Sequence, residues 1–184
     1  MDSLENQLLI AMPSLGDSYF SKTVTYICEH NEEGAMGLII NIPVNITLNE
    51  LLSQLDNEME NSPKLEQLVL SGGPVSQQRG FVLHSPQDGW SSSLALSKEV
   101  MITTSKDILL ALGTEDAPEK FVVTLGYAGW GPGQLEQEIL ENSWLTTPAD
   151  SDILFNTPIE QRWKKSAEKI GVNVAHLSSE IGHA

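Results

Sequence analysis

Cys28 and His30 stand two positions apart in Thr23-Val-Thr-Tyr-Ile-Cys-Glu-His30, a stretch rich in β-branched and aromatic residues. Strand spacing puts such a pair on one face, which is how two metal ligands are presented. A tetrahedral site needs a third and usually a fourth ligand, and the chain holds a single cysteine. No metal and no cofactor is therefore expected, and Cys28 reads as a core residue. Glu136 and Glu138 are the next candidates, for acid–base work. Two positions apart on a helix they diverge by about 200°, too far to act on one substrate. Glu138 and Glu141 do share a face, which reads as a solvated acidic one.

Gly16-Asp-Ser18 has the form of a serine nucleophile block, but a nucleophilic serine needs a histidine oriented by an acid. No Asp in the chain is followed by His three residues on, and G-x-S-x-G is absent. Asp17 and Ser18 read as turn residues. The richest stretch is Gly126-Tyr-Ala-Gly-Trp-Gly-Pro-Gly-Gln-Leu-Glu136, where glycines allow tight turns and close backbone approach. It meets a helix N-terminus, where free amides can hold an anion. The Gly-Lys-Ser/Thr ending and the G-x-G-x-x-G spacing of phosphate loops are both missing. The loop reads either as a binding element or as a turn that lets one strand cross closely over another backbone. Trp130, between two glycines, is either a core plug or a binding anchor. On the reading adopted here most of its ring is a plug. Its edge and the Gly131 to Gln134 backbone then form one wall of a shallow site, and the candidate binding residues are Gly129, Trp130, Gly131, Gly133, Gln134 and Glu136.

The elements that must carry these residues are short. Gln7 to Met12 and Thr23 to His30 read as strands, and Met36 to Asn41 as a nearly continuous apolar strand that Pro43 stops from running on as a central one. Thr47-Leu-Asn-Glu50 has capping-box spacing ahead of Leu48, Leu51, Leu52 and Leu55, a helix with one apolar face. Strands follow at Leu65 to Ser71, Arg79 to His84, Leu94 to Leu96, Val100 to Thr103 and Phe121 to Leu125. Helices are predicted after Thr104, after the glycine loop, and from Thr157-Pro-Ile-Glu160 onward. Trp144 to Thr147 and Asp152 to Phe155 read as extended. Leu38, Ile40, Leu68, Leu70, Val82, Val122 and Leu125 are expected in the core. Strands in runs, with helices that do not alternate regularly with them, predict an α+β fold on a mixed, strongly curved sheet.

With 184 residues and no Pro/Ser-rich linker, the chain reads as one domain over 1–184. Twenty-five acids against ten bases give a formal charge of −15, which repels phosphate backbones, so no nucleic-acid partner is expected. Four of the ten bases, Arg162, Lys164, Lys165 and Lys169, crowd the last helix, and nucleic-acid binding would need them to face outward as one stripe. The lone cysteine, the polar start without a signal-peptide pattern and the lack of a run of roughly 20 apolar residues predict a cytoplasmic protein with no membrane partner.

The blocks Met12-Pro-Ser-Leu, Gly34-Ala-Met-Gly-Leu-Ile-Ile-Asn-x-Pro43, Gly72-Gly-Pro-Val75, Gly80-Phe-Val-Leu-His84 and the glycine–tryptophan block come in the order found in the bacterial AlgH/YqgE family, which the chain resembles from Leu9 to Gly182-His-Ala184. The resemblance implies a bifurcated, barrel-like mixed sheet flanked by short helices, in a cytosolic protein without an established biochemical activity. The family's regulatory label carries over no catalytic residue. The expected function is that of a non-enzymatic regulatory or interaction protein that recognises a protein or small ligand through the loop carrying Trp130. The alternative is an enzyme with a cleft near Gly129 to Gln134, using Glu136, Glu138 or His84 as acid or base. Direct nucleic-acid binding ranks third.

Overall fold

Local chemistry starts most of the elements. In the computed structural model, which describes residues 3–11, 22–56 and 62–171, Thr47 Oγ1 accepts from the Glu50 amide at 3.2 Å and opens helix α1 (Leu48–Leu55). Half of the capping-box reading holds: the hydroxyl satisfies one of the free amides of the first turn, while Glu50 Oε1 accepts from the Thr47 hydroxyl at 3.4 Å and not from its amide. Ahead of α1 lie β1 (Gln7–Ala11), β2 (Val24–Asn31), β3 (Gly34–Ile39) and β4 (Pro43–Thr47). After it come β5 (Leu68–Ser71), β6 (Val75–His84), β7 (Ser93–Ala95), β8 (Met101–Thr103) and α2 (Lys106–Ala111). The C-terminal part holds β9 (Phe121–Trp130), α3 (Gln134–Leu140), β10 (Trp144–Pro148), α4 (Ser151–Phe155) and α5 (Arg162–Lys169).

The strands form one curled sheet in the order β10-β1-β2-β3-β9-β6-β8-β7, with β4 and β5 as a side branch. The branch point is β9. Along one edge it pairs antiparallel with β6, while its other edge is shared. Thr124 and Leu125 run parallel to β5, and Ala128 to Trp130 run antiparallel to β3. A strand that changes partners midway forces the sheet to split, and the sheet is bifurcated and mixed as expected. The chain passes this point at close quarters. Gly126 has φ +79°, and a Cβ there would lie 2.5 Å from the Gly73 carbonyl oxygen, so no other residue fits without moving backbone.

Side chains on the two faces pack into three clusters. Leu8, Tyr26, Leu38, Ile40, Phe81 and Trp163 are among those inside the curl, closed off by α4 and α5. Leu48, Leu52, Val82, Ile108, Leu112 and Val123 join α1 and α2 to the outer face. Leu9, Ala11, Ile27, Ala128, Trp130, Leu135 and Trp144 join α3 to the outer face at the other end of β9.

Several local readings change. β9 runs on to Trp130, so Gly126 to Trp130, read as a turned loop, is strand, because it pairs with β3. Leu125, expected in the core, is only half-buried. Leu68, expected in the core, is 38% exposed: it opens β5 opposite Thr47 of the edge strand β4, at the strand end, while Leu70 two residues on is buried in the cluster inside the curl. Asp152 to Phe155 is helical, because the Asp150 carboxylate accepts from the Asp152 amide at 2.9 Å and caps a turn. Pro43 ends the central apolar run but itself starts β4, an edge position where a missing N–H is tolerated. Met12 to Leu15, Gly16 to Ser18 and Gly182 to Ala184 lie outside the described residues.

Candidate functional site

Trp130 is a plug. Only 8% of it is exposed, and its indole meets Trp144 edge to face, with ring centroids 6.1 Å apart and planes at 79°. Both indole N–H groups donate to one oxygen of Glu138, Trp130 Nε1 at 3.1 Å and Trp144 Nε1 at 2.9 Å. The other Glu138 oxygen accepts from Gln134 Nε2 at 2.9 Å, and Gln134 Oε1 accepts from the Gly131 amide at 2.9 Å. The Gly131 to Gln134 turn is thus fastened to the helix it precedes. Glu138 is an internal acceptor and not part of a solvated acidic face, because a buried indole N–H needs a partner.

Glu136 is occupied as well. His30 Nδ1 accepts from the Leu4 amide at 2.8 Å, which assigns the ring hydrogen to Nε2, and that nitrogen donates to Glu136 Oε1 at 2.9 Å. This bond, then the backbone amide of Glu136, holds the Glu136 carboxyl below the usual carboxylate range. The expectation that Cys28 and His30 share a face fails at a β-bulge. Ile27 pairs with Gly37 but Glu29 with Met36, so Cys28 is an extra residue and the alternation inverts behind it. Cys28 packs inside the curl, where burial and then the Glu29 charge push its thiol up to about 12, while His30 faces α3.

Across β9 from the indoles the surface is open. Alternation puts Ala128 and Trp130 on the packed side and Tyr127 and Gly129 on the other. There a cleft of about 630 Å³ runs over β2, β3, β9 and the start of β6. Its floor is Met36, Tyr127 and Phe81, and Phe81 and Tyr127 meet edge to face at 5.9 Å. Glu29, Asn31 and Glu33 stand exposed on one side. Arg79 stands on the other, its guanidinium 5.2 Å from the Phe81 ring centroid. Of the six residues expected at the site, Gly129 and Trp130 border this cleft. Gly131, Gly133, Gln134 and Glu136 do not. Met36, Arg79 and Tyr127 went unread as site residues, although Arg79/Phe81 and Tyr127/Gly129 each have the two-residue spacing of one strand face.

Gly129 differs from Gly126. Its φ lies outside the left-handed region, and a Cβ there would meet nothing nearer than Tyr127 Cε2 at 3.5 Å, an ordinary contact. Neither dihedral nor packing asks for glycine, yet the position is exposed in the cleft.

The acid–base candidates do not converge. His84 pairs with Phe121, nine residues along β9 from Trp130 or roughly 30 Å at strand rise. It is fully buried, with Nδ1 donating to the Ser85 carbonyl at 2.8 Å and Nε2 accepting from Thr103 Oγ1 at 2.7 Å. Burial holds its pKa below the usual histidine value, against the Ser85 bond. Nor does α5 present a continuous basic stripe. Arg162 is buried, donating to the carbonyls of Ile40 and Thr157, and Lys169 donates to the Pro148 carbonyl at 2.9 Å beside Asp150. Of the four, Lys164 alone has no polar partner among the described residues, since Lys165 pairs with Glu168 at 3.9 Å. Among the described residues no helix is long and apolar enough to cross a membrane.

Residues 8–175 match the AlgH-like family. A UPF0301 protein of Colwellia psychrerythraea is 68% identical and one of Pseudoalteromonas translucida 56%, with the whole of each chain covered. The solution structure of the AlgH protein from Pseudomonas aeruginosa superposes with a TM-score of 0.80 at 44% identity, covering 97% of this chain and 96% of that one. A crystal structure from Corynebacterium diphtheriae, 21% identical with a TM-score of 0.65 over 83% of this chain and 79% of the other, shares the fold.

Proposed function

This chain belongs to the AlgH-like, UPF0301 family, and we propose that it works in the cytoplasm as a non-enzymatic recognition protein, taking a protein segment or small ligand into the cleft over β3 and β9. The observation that carries this reading is Gly129. An exposed strand position normally gains from a side chain, since glycine costs entropy and packs against nothing. Here the glycine leaves the floor between Met36 and Tyr127 low enough for an incoming group to reach backbone. Mixed apolar and charged walls around a cleft of this size suit a ligand site. The cytoplasmic placement rests on a lone, buried thiol. The role of the loop beyond Trp130 becomes support: it fixes the end of β9 that borders the cleft.

Gly129→Leu tests this reading by filling the cleft from its floor. The variant should melt as the wild type does while losing species that the wild type captures from a native extract. Recovery of every wild-type partner by a normally folded Gly129→Leu protein would remove the cleft as the site.

A further inference from the structure

The charges around the cleft are segregated, and they do not meet. Glu29 pairs with Met36 and Met36 with Gly129, so these three form one row across β2, β3 and β9. The next strand, β6, joins through Tyr127 opposite Val75. At about 4.8 Å per strand, three spacings, about 14 Å, separate β2, which carries Glu29, from β6, where Arg79 lies in the stretch between Val75 and Gly80 whose pairing with β9 shifts. Arg79 lies against the Phe81 ring and makes no hydrogen bond or ion pair among the described residues, in a chain with 25 acids. The ring supports the flat face of the guanidinium and leaves its fork of N–H donors for a planar anion such as a carboxylate. Glu29 and Glu33 offer acceptors on the opposite side, with the apolar floor between.

Resting on the recognition reading above, we propose that the cleft takes a small zwitterion with an apolar middle, its ammonium toward Glu29 and Glu33 and its carboxylate on Arg79. Short peptides with free termini belong to this class. At about 3.3–3.6 Å per extended residue, a tripeptide bridges about 10 Å, which suits charged side chains reaching inward from strands about 14 Å apart. Nucleotides and other polyanions suit the site poorly, because they would meet Glu29 and Glu33. A polycation would meet Arg79.

The test is calorimetric titration at 0.15 M salt with the tripeptide Ala-Phe-Ala, its N-acetyl form and its C-amide form. The free peptide should bind at least tenfold more tightly than either capped form. In Arg79→Ala, amidation should cease to matter while acetylation still weakens binding. In Glu29→Gln plus Glu33→Gln, the pattern should reverse. All the substituted side chains are exposed, and equal melting temperatures identify folded variants. Equal binding of the three peptides by the wild type, or binding by none, overturns the zwitterion assignment. If capped and free peptides bind alike and Gly129→Leu abolishes both, the cleft survives as a recognition site and its charge preference does not. If none binds, the capture experiment with Gly129→Leu still judges the cleft by itself.

Discussion

The two sides of the last four residues of β9 obey opposite rules. On one, Trp130 is sealed against Trp144 and Leu135, and every polar atom of the Gln134–Glu138 pair is engaged. On the other, Gly129 and Tyr127 line a cleft bounded by Met36, Glu29 and Arg79, and Arg79 has no polar partner among the described residues. A strand with one closed and one open side is a frame: the closed side resists displacement so that the open side keeps its shape. Trp130, the aromatic held between two glycines, looks like the working part, but here it belongs to the frame, while Tyr127 lines the open side.

Breaking the closed side should cost most. Trp130→Ala removes a buried indole and should destabilise by about 3–5 kcal/mol, read as a lowered melting midpoint in denaturant. A loss below about 1 kcal/mol would mean that the ring is not a plug. Glu138→Ala leaves two indole N–H groups without their acceptor and should cost about 1–3 kcal/mol. Glu138→Gln, which keeps a carbonyl oxygen for them, should recover part of that cost. If Gln and Ala at this position melt alike, the shared oxygen is not holding the indoles.

On the open side the same measurement should barely respond. Gly129→Leu is expected to stay within about 0.5 kcal/mol of the wild type, as exposed substitutions usually do, and a larger loss would erase the contrast between the two sides. The smallest effect concerns pH. The folded Glu136 carboxyl titrates below its ordinary value of about 4.5. Its contribution is therefore fully present above the unfolded glutamate range and is lost as pH falls through the folded pKa. Below about pH 4.5 the wild type should lose stability faster than Glu136→Gln. Parallel curves would show that the His30 bond carries no net stabilisation.

Some of this was legible from neighbouring residues. Helix α1 follows from Thr47, Glu50 and the leucine spacing, and α3 from the glycines before it and Leu135 and Ile139 within it, because capping and amphipathic spacing act within one or two turns. Leu140 on the same helix is 71% exposed. The strands around β9 follow from β-branched runs in the same way. Residue order also carried the family resemblance, and with it the expectation of a bifurcated sheet.

What local order left open was decided by contacts distant in sequence. Gly126 and Gly129 are the same residue three positions apart. One is required because the Gly73 carbonyl passes 2.5 Å from where a Cβ would sit, and the other is not. Glu138 reads as solvated until Trp130 and Trp144 arrive from two strands to donate to it. Cys28 and His30 share a face by counting, but one bulged residue inverts the count. The cleft is the strongest case: Glu29, Met36, Arg79 and Gly129 come from four strands, and no window of sequence contains them. Periodicity and capping are properties of a chain segment, and they determined the elements. The face a residue shows, and what it meets there, depends on register and on the path of the sheet, so those were determined only when the elements packed.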